Sequence, residues 1–149
     1  MAGYAAEHGL GMHVHVSETR SEHESCLQKY GKTPVALLDR YGVWVNGGTA
    51  AHCVWVSDAD MELMVQRNIT AVHNPVSNLK LASGAARVPA AGARGQCGPG
   101  HRRSGSNNSH DLFEEIKLAA LLHKGIGLDP AAVTARQALE MATINGARA

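Results

Sequence analysis

The sequence predicts an α/β fold of one domain, in which short parallel strands alternate with helices. Two observations predict it. Apolar segments of strand length alternate with segments of helical pattern at an even pitch over residues 12–73. Each of the three strand candidates also ends in or near a histidine, at His15, His52 and His73. Carboxyl ends of successive βα units converge on one rim if the units close into a barrel, and catalytic groups collect on that rim.

The first strand is read from Met12-His13-Val14-His15-Val16, with Met12, Val14 and Val16 on one face and His13, His15 and Ser17 on the other. Glu18 opens the polar, helix-compatible run that follows. An imidazole on a strand end with a carboxylate three residues later suits a metal ligand paired with a proton shuttle. Two histidines and a glutamate lining a polar strand face is the plainer alternative. Residues 21–30 and 34–41 read as helix, with Pro34 in a first turn and Gly42 as a stop. Residues 49–56 form the second strand candidate. Ser57-Asp58-Ala59-Asp60 then has the form of a helix start, with Asp60 at the third position, and the helix runs to residue 68. Residues 69–73 make the third strand, closed by Asn74-Pro75.

Residues 76–84 are expected as a polar loop, since Asn, Ser and Gly form turns. Residues 92–103 fall where a fourth strand is due, yet they hold no β-branched or aromatic residue and read as exposed loop. Helical spacing returns over 110–124 with Gly125 as a stop, and Asp129-Pro130 is expected to open a helix over 131–141.

Composition limits the function. Hydrophobic residues make up 44% and charged residues 18% of 149, as in globular domains. A net charge of +1 proposes neither a nucleic-acid nor a membrane partner, and no apolar run has the length of a bilayer span. The opening residues lack a basic and an apolar signal region, so no signal peptide is expected. Three cysteines without CxxC spacing suit a reducing cytoplasm. Nine histidines are the one oddity, in keeping with metal or acid/base chemistry.

Several blocks in order carry a resemblance over nearly the whole chain. They are His13-Val14-His15-Val16-Ser17-Glu18-Thr19, Ala51-His52-Cys53, the run His73-Asn74-Pro75-Val76-Ser77-Asn78-Leu79-Lys80-Leu81-Ala82-Ser83-Gly84, Ser106-Asn107-Asn108 with Asp111-Leu112-Phe113, and Met141-Ala142-Thr143. The chain resembles the C-terminal half of the amidohydrolase superfamily, in the metal-dependent aminohydrolase branch that includes methylthioadenosine/S-adenosylhomocysteine deaminases, chlorotriazine hydrolases and guanine deaminases. The resemblance implies a partial (β/α)8 TIM-like barrel, about its second half, as one incomplete domain over residues 1–149. It implies a divalent metal, zinc before iron or manganese, which lowers the pKa of bound water toward about 7. His15 and His52 would be metal ligands. Glu18 and His52 would be catalytic, Glu18 as acid/base and His52 as the group that polarises the attacked centre. Glu18, His73, Asn74, Ser77 and Asn78 would lie against a small-molecule substrate, a purine-type or related heterocyclic amine.

Two departures go with the match. The family's first strand carries a His-x-His metal pair, which has no counterpart upstream of Met12. Its last catalytic strand ends in Gly-Thr-Asp-Gly, where this chain has Gly100-His101-Arg102-Arg103. Read one base later, codons for residues 100–104 can spell Gly-Thr-Asp-Gly, so residues 93–105 are expected to be a frameshifted stretch. A truncated copy of this kind is expected to be inactive alone. The alternative is a non-catalytic fragment or pseudoenzyme that binds metal weakly or self-associates through exposed barrel edges.

Overall fold

The computed structural model describes residues 1–88, 97–99 and 111–148. A short helix α1 (Ala2–Glu7) leads into strand β1 (Met12–Val16), followed by helices α2 (Arg20–Tyr30) and α3 (Pro34–Arg40). Strand β2 (Gly48–His52), helix α4 (Asp58–Gln66), strand β3 (Ile69–His73) and helix α5 (Pro75–Lys80) come next. Strand β4 (Cys97–Pro99), helix α6 (Leu112–Gly127) and helix α7 (Ala135–Glu140) follow, and a π-helical turn (Met141–Asn145) leads into α8 (Gly146–Arg148). The strands form one parallel sheet in the order β1-β2-β3-β4. This is the alternating parallel βα arrangement expected from the sequence.

Side-chain alternation decides what each strand face does. On β1, Val14 and Val16 join the main core with Val35 of α3 and Met61 and Met64 of α4. His13 and His15 take the opposite face. Ile69 and Ala71 of β3 and Ala50 of β2 complete the same core, and Trp44 closes it by donating its indole N–H to the Val35 carbonyl at 3.2 Å. The helix starts are set locally. Thr19, Thr33 and Ser57 each cap a helix through the side-chain oxygen, and Ser57 with Asp60 forms the reciprocal capping box expected from the sequence, worth about 1 kcal/mol. A second core of Val54, Ala86, Val88, Val133, Ala138 and Met141 packs α7 and the π turn under the sheet's later part.

Five expectations need correction. The second strand ends at His52, not at 56, because His52 (φ 74°) and Cys53 (φ 49°) both adopt left-handed backbone. Residues 75–80 are helical where a loop was expected: Pro75 fits the first turn, and Ser77 and Asn78 are buried on it. Within the stretch expected to be exposed loop, Cys97–Pro99 pairs in parallel with β3, so pairing with a neighbouring strand overrides poor strand propensity. The helix α6 runs through Gly125 to Gly127 and stops at Leu128, which is left-handed, and the following helix starts at Ala135 behind a Thr134 cap. The remainder of 93–105 lies outside the described residues.

Candidate functional site

The site forms where β1 and β2 end side by side. Val16 is in register with His52. Past that point Ser17 turns into left-handed backbone (φ 49°), and its carbonyl accepts both Val54 N–H and Trp55 N–H at 3.1 Å. Cys53 N–H meanwhile donates to the Val16 carbonyl at 3.1 Å. These bonds hold three non-glycine residues at positive φ, a strain of about 1–3 kcal/mol each that a tight local network can offset. Glu22 secures the other side: its two carboxylate oxygens accept Ser17 N–H at 2.9 Å and Glu18 N–H at 2.8 Å. The backbone under Glu18 is therefore pinned at both ends.

His52 shows what the strained turn achieves. Strict alternation would place its side chain on the core face with Ala50. Left-handed backbone ends the alternation, and the imidazole stacks instead on His15, centroid to centroid 5.5 Å with planes 23° apart. Its Nε2 lies 3.7 Å from Glu18 Oε1, and its Nδ1 lies 2.6 Å from Asn78 Oδ1. His52 is buried, Glu18 is 15% exposed at its side chain, and His15 is open. His15, Glu18 and His52 thus come together as the sequence spacing proposed.

His73 goes elsewhere. It shares the parity of Ile69 and Ala71 on β3, so it faces the helices, and its Nε2 meets His123 Nε2 at 3.2 Å. Burial first, then repulsion from the neighbouring His123 and His52, drives its pKa down to about 3. Burial also lowers His123. Asn74, Ser77 and Asn78 are buried, with Asn74 Nδ2 donating to the Val72 carbonyl at 3.1 Å. Glu115 lies in the same polar layer and accepts Val76 N–H at 3.3 Å. Burial raises its pKa to about 7, against the lowering effect of that hydrogen bond. Neither Glu115 nor His123 was singled out from the sequence. The available signal was spacing: Glu115, Ala119 and His123 lie four residues apart and form the buried stripe of α6.

Two imidazoles and a carboxylate are donor types that zinc accepts. Among the described residues, however, no group of three or more His, Cys, Asp or Glu side chains could hold a metal ion. The described residues fit part of a metal site and not a whole one. Also among the described residues, no helix is long and apolar enough to cross a membrane.

Parallel βα units that gather imidazoles and a carboxylate at their strands' carboxyl ends define a segment of a (β/α) barrel with a rim site. More particularly, the chain belongs to the amidohydrolase family, whose sequence model matches residues 1–149. A 5′-deoxyadenosine deaminase of Methanosarcina acetivorans is 50% identical over 142 residues, covering 95% of this chain and 33% of the relative. A 5-methylthioadenosine/S-adenosylhomocysteine deaminase of Dictyoglomus thermophilum is 48% identical over 143 residues, covering 95% and 34%. Among solved structures, a zinc-bound adenosine deaminase from Xanthomonas campestris superimposes with a TM-score of 0.91 at 34% identity, covering 98% of this chain and 34% of that one. The chain spans about a third of the length of the curated relatives it matches.

Proposed function

We propose that this chain carries the proton-handling part of the active site of a hydrolytic deaminase acting on a purine-type nucleoside. The observation that carries the reading is the approach of Glu18 to within 3.7 Å of a buried His52 that His15 stacks upon. Identities of 50% and 48% to deaminases of 5′-deoxyadenosine and of methylthioadenosine/S-adenosylhomocysteine support that substrate class. In the reaction, water adds to the amidine carbon of the base, the carbon–nitrogen bond breaks, and ammonia leaves. In this reading Glu18 takes the proton from water and delivers it to the amino nitrogen. His15 and His52 are the residues of this chain that would hold a divalent metal ion, zinc in the first instance and iron or manganese otherwise. His73, Asn74, Ser77 and Asn78 are each 2% exposed or less, and we assign them to the layer behind the site.

Residues 93–105 are proposed to be read out of frame. With one base skipped, codons for residues 95–104 can spell Val-Asn-Val-Ala-Leu-Gly-Thr-Asp-Gly. Cys97–Pro99, which pairs with β3, then becomes Val-Ala-Leu, three residues that each carry a backbone N–H and include a β-branched valine.

A chimera tests the reading. This chain, with residues 95–104 re-read, replaces the matching third of the Methanosarcina acetivorans deaminase. Ammonia release from 5′-deoxyadenosine is the expected result, with negligible release from the unaltered chain alone. A folded chimera without turnover contradicts the proposal.

A further inference from the structure

We infer that Asn78 is the positioning residue that fixes the tautomer of His52, which rests on the reading of His52 as a site histidine. Asn78 is fully buried on α5, and its Oδ1 stands 2.6 Å from His52 Nδ1. An amide oxygen only accepts, so the proton of the neutral ring sits on Nδ1 and the lone pair on Nε2. That lone pair lies on the side of Glu18, whose Oε1 is 3.7 Å away. A ring protonated on Nε2 would instead turn an N–H toward the carboxylate and leave no lone pair at the rim to accept a proton or hold a metal ion. The tautomer therefore decides what the ring can do at the rim.

The surroundings of Asn78 argue for a role at His52 and not for packing. Its Nδ2 is buried with no hydrogen-bond partner among the described residues. A buried amide with an unfilled N–H costs more than an apolar side chain of the same shape, so stability alone does not account for it. The backbone around it is anchored independently. Ser83 N–H donates to the Asn78 carbonyl at 2.8 Å, Pro75 starts the helix, and Glu115 holds the Val76 N–H. These contacts carry the oxygen to the imidazole on a fixed helix, as outer partners of functional histidines generally do.

Long-range proton–nitrogen NMR correlation on the ¹⁵N-labelled chain, at a pH where histidines are neutral, tests the inference. His52 signals are assigned by their loss in His52→Gln. The wild-type ring is expected to show a protonated Nδ1 and a pyridine-type Nε2. In Asn78→Ala the pyridine-type signal moves to Nδ1, and in Asn78→Asp, which keeps an acceptor oxygen, it stays on Nε2. A wild-type ring protonated on Nε2 overturns the inference without any variant, should Asn78→Ala fail to fold. An unchanged tautomer in a folded Asn78→Ala overturns it too. Zinc added to the wild-type sample separates the two readings. With the expected tautomer in place, a His52 Nε2 signal that does not respond counts against the ligand role and leaves the role of Asn78 standing.

Discussion

His52 Nε2 and Glu18 Oε1 lie 3.7 Å apart, although their residues belong to adjacent βα units 34 positions apart in sequence. The pairing depends on left-handed backbone at Ser17, His52 and Cys53, cross-bonded through the Val16 and Ser17 carbonyls. With Glu18 as the proton carrier, Glu18→Gln keeps the shape and the fold but removes the basic oxygen. In the chimera, kcat is expected to fall by about 10²–10⁴-fold, the usual contribution of a positioned acid/base group, with the thermal midpoint nearly unchanged. A variant within a few-fold of wild type would assign the proton transfer to another group.

Stability should respond to pH through the buried layer behind the site. The His73 pKa falls from 6.5 to about 3 on folding, so the unfolded chain takes up the proton first. Its contribution is intact above pH 6.5 and is lost as pH falls toward 3, by at most about 1.4 kcal/mol per pH unit. Glu115 runs the other way. Its pKa rises from 4.5 to about 7, so its contribution is intact below pH 4.5 and is lost as pH rises through 7. Urea midpoints are expected to climb from pH 3.5 to 4.5, change little to 6.5, and decline slightly at 7.5. His73→Gln should flatten the acid limb, and Glu115→Gln the neutral one. Equal slopes in variants and wild type would refute this account.

Gly48 sets the register that places His15 beside His52. It pairs with Met12 at φ 142°, and a Cβ there would stand 2.2 Å from the Met12 carbonyl oxygen. That oxygen belongs to backbone and cannot swing away. Gly48→Ala is expected to cost at least about 2 kcal/mol by urea denaturation. Gly31→Ala, also at positive φ but with nothing within 4 Å, should cost about 1 kcal/mol. Similar losses at both positions would remove the special role of the β1–β2 approach.

Much of this fold was legible because alternation and capping are local. Met12–Val16, Ile69–His73 and the Ser57/Asp60 cap follow from period and from side chains within reach of their own backbone. That His15 and Glu18 lie at one strand end was legible for the same reason, and both reach His52 there. What alternation could not show was a strand ended by positive φ at a histidine, nor the turning of His73 toward His123, fifty residues on. The helical segment at Pro75–Lys80 hid behind turn-forming residues whose side chains are used for burial and hydrogen bonding. Strand β4 pairs against its own propensity, and no local rule reads that from Cys97, Gly98 and Pro99.

The nucleotide sequence gives the shortest test of the proposed reading frame. Codons for residues 95–104 should spell Val-Asn-Val-Ala-Leu-Gly-Thr-Asp-Gly when read one base later. Each codon must carry a particular third base, so chance agreement over the whole run is improbable. A single disallowed base in the stretch for Gly-Thr-Asp-Gly ends the proposal.

Zinc titration by calorimetry, on this chain and on single variants, tests most directly whether the two strand ends share a metal-facing site. One weak equivalent is predicted for the wild type, weakened about tenfold or more by His15→Ala and by His52→Gln, and untouched by His8→Ala on the exposed end of α1. Binding that survives both rim substitutions in folded protein would contradict the account.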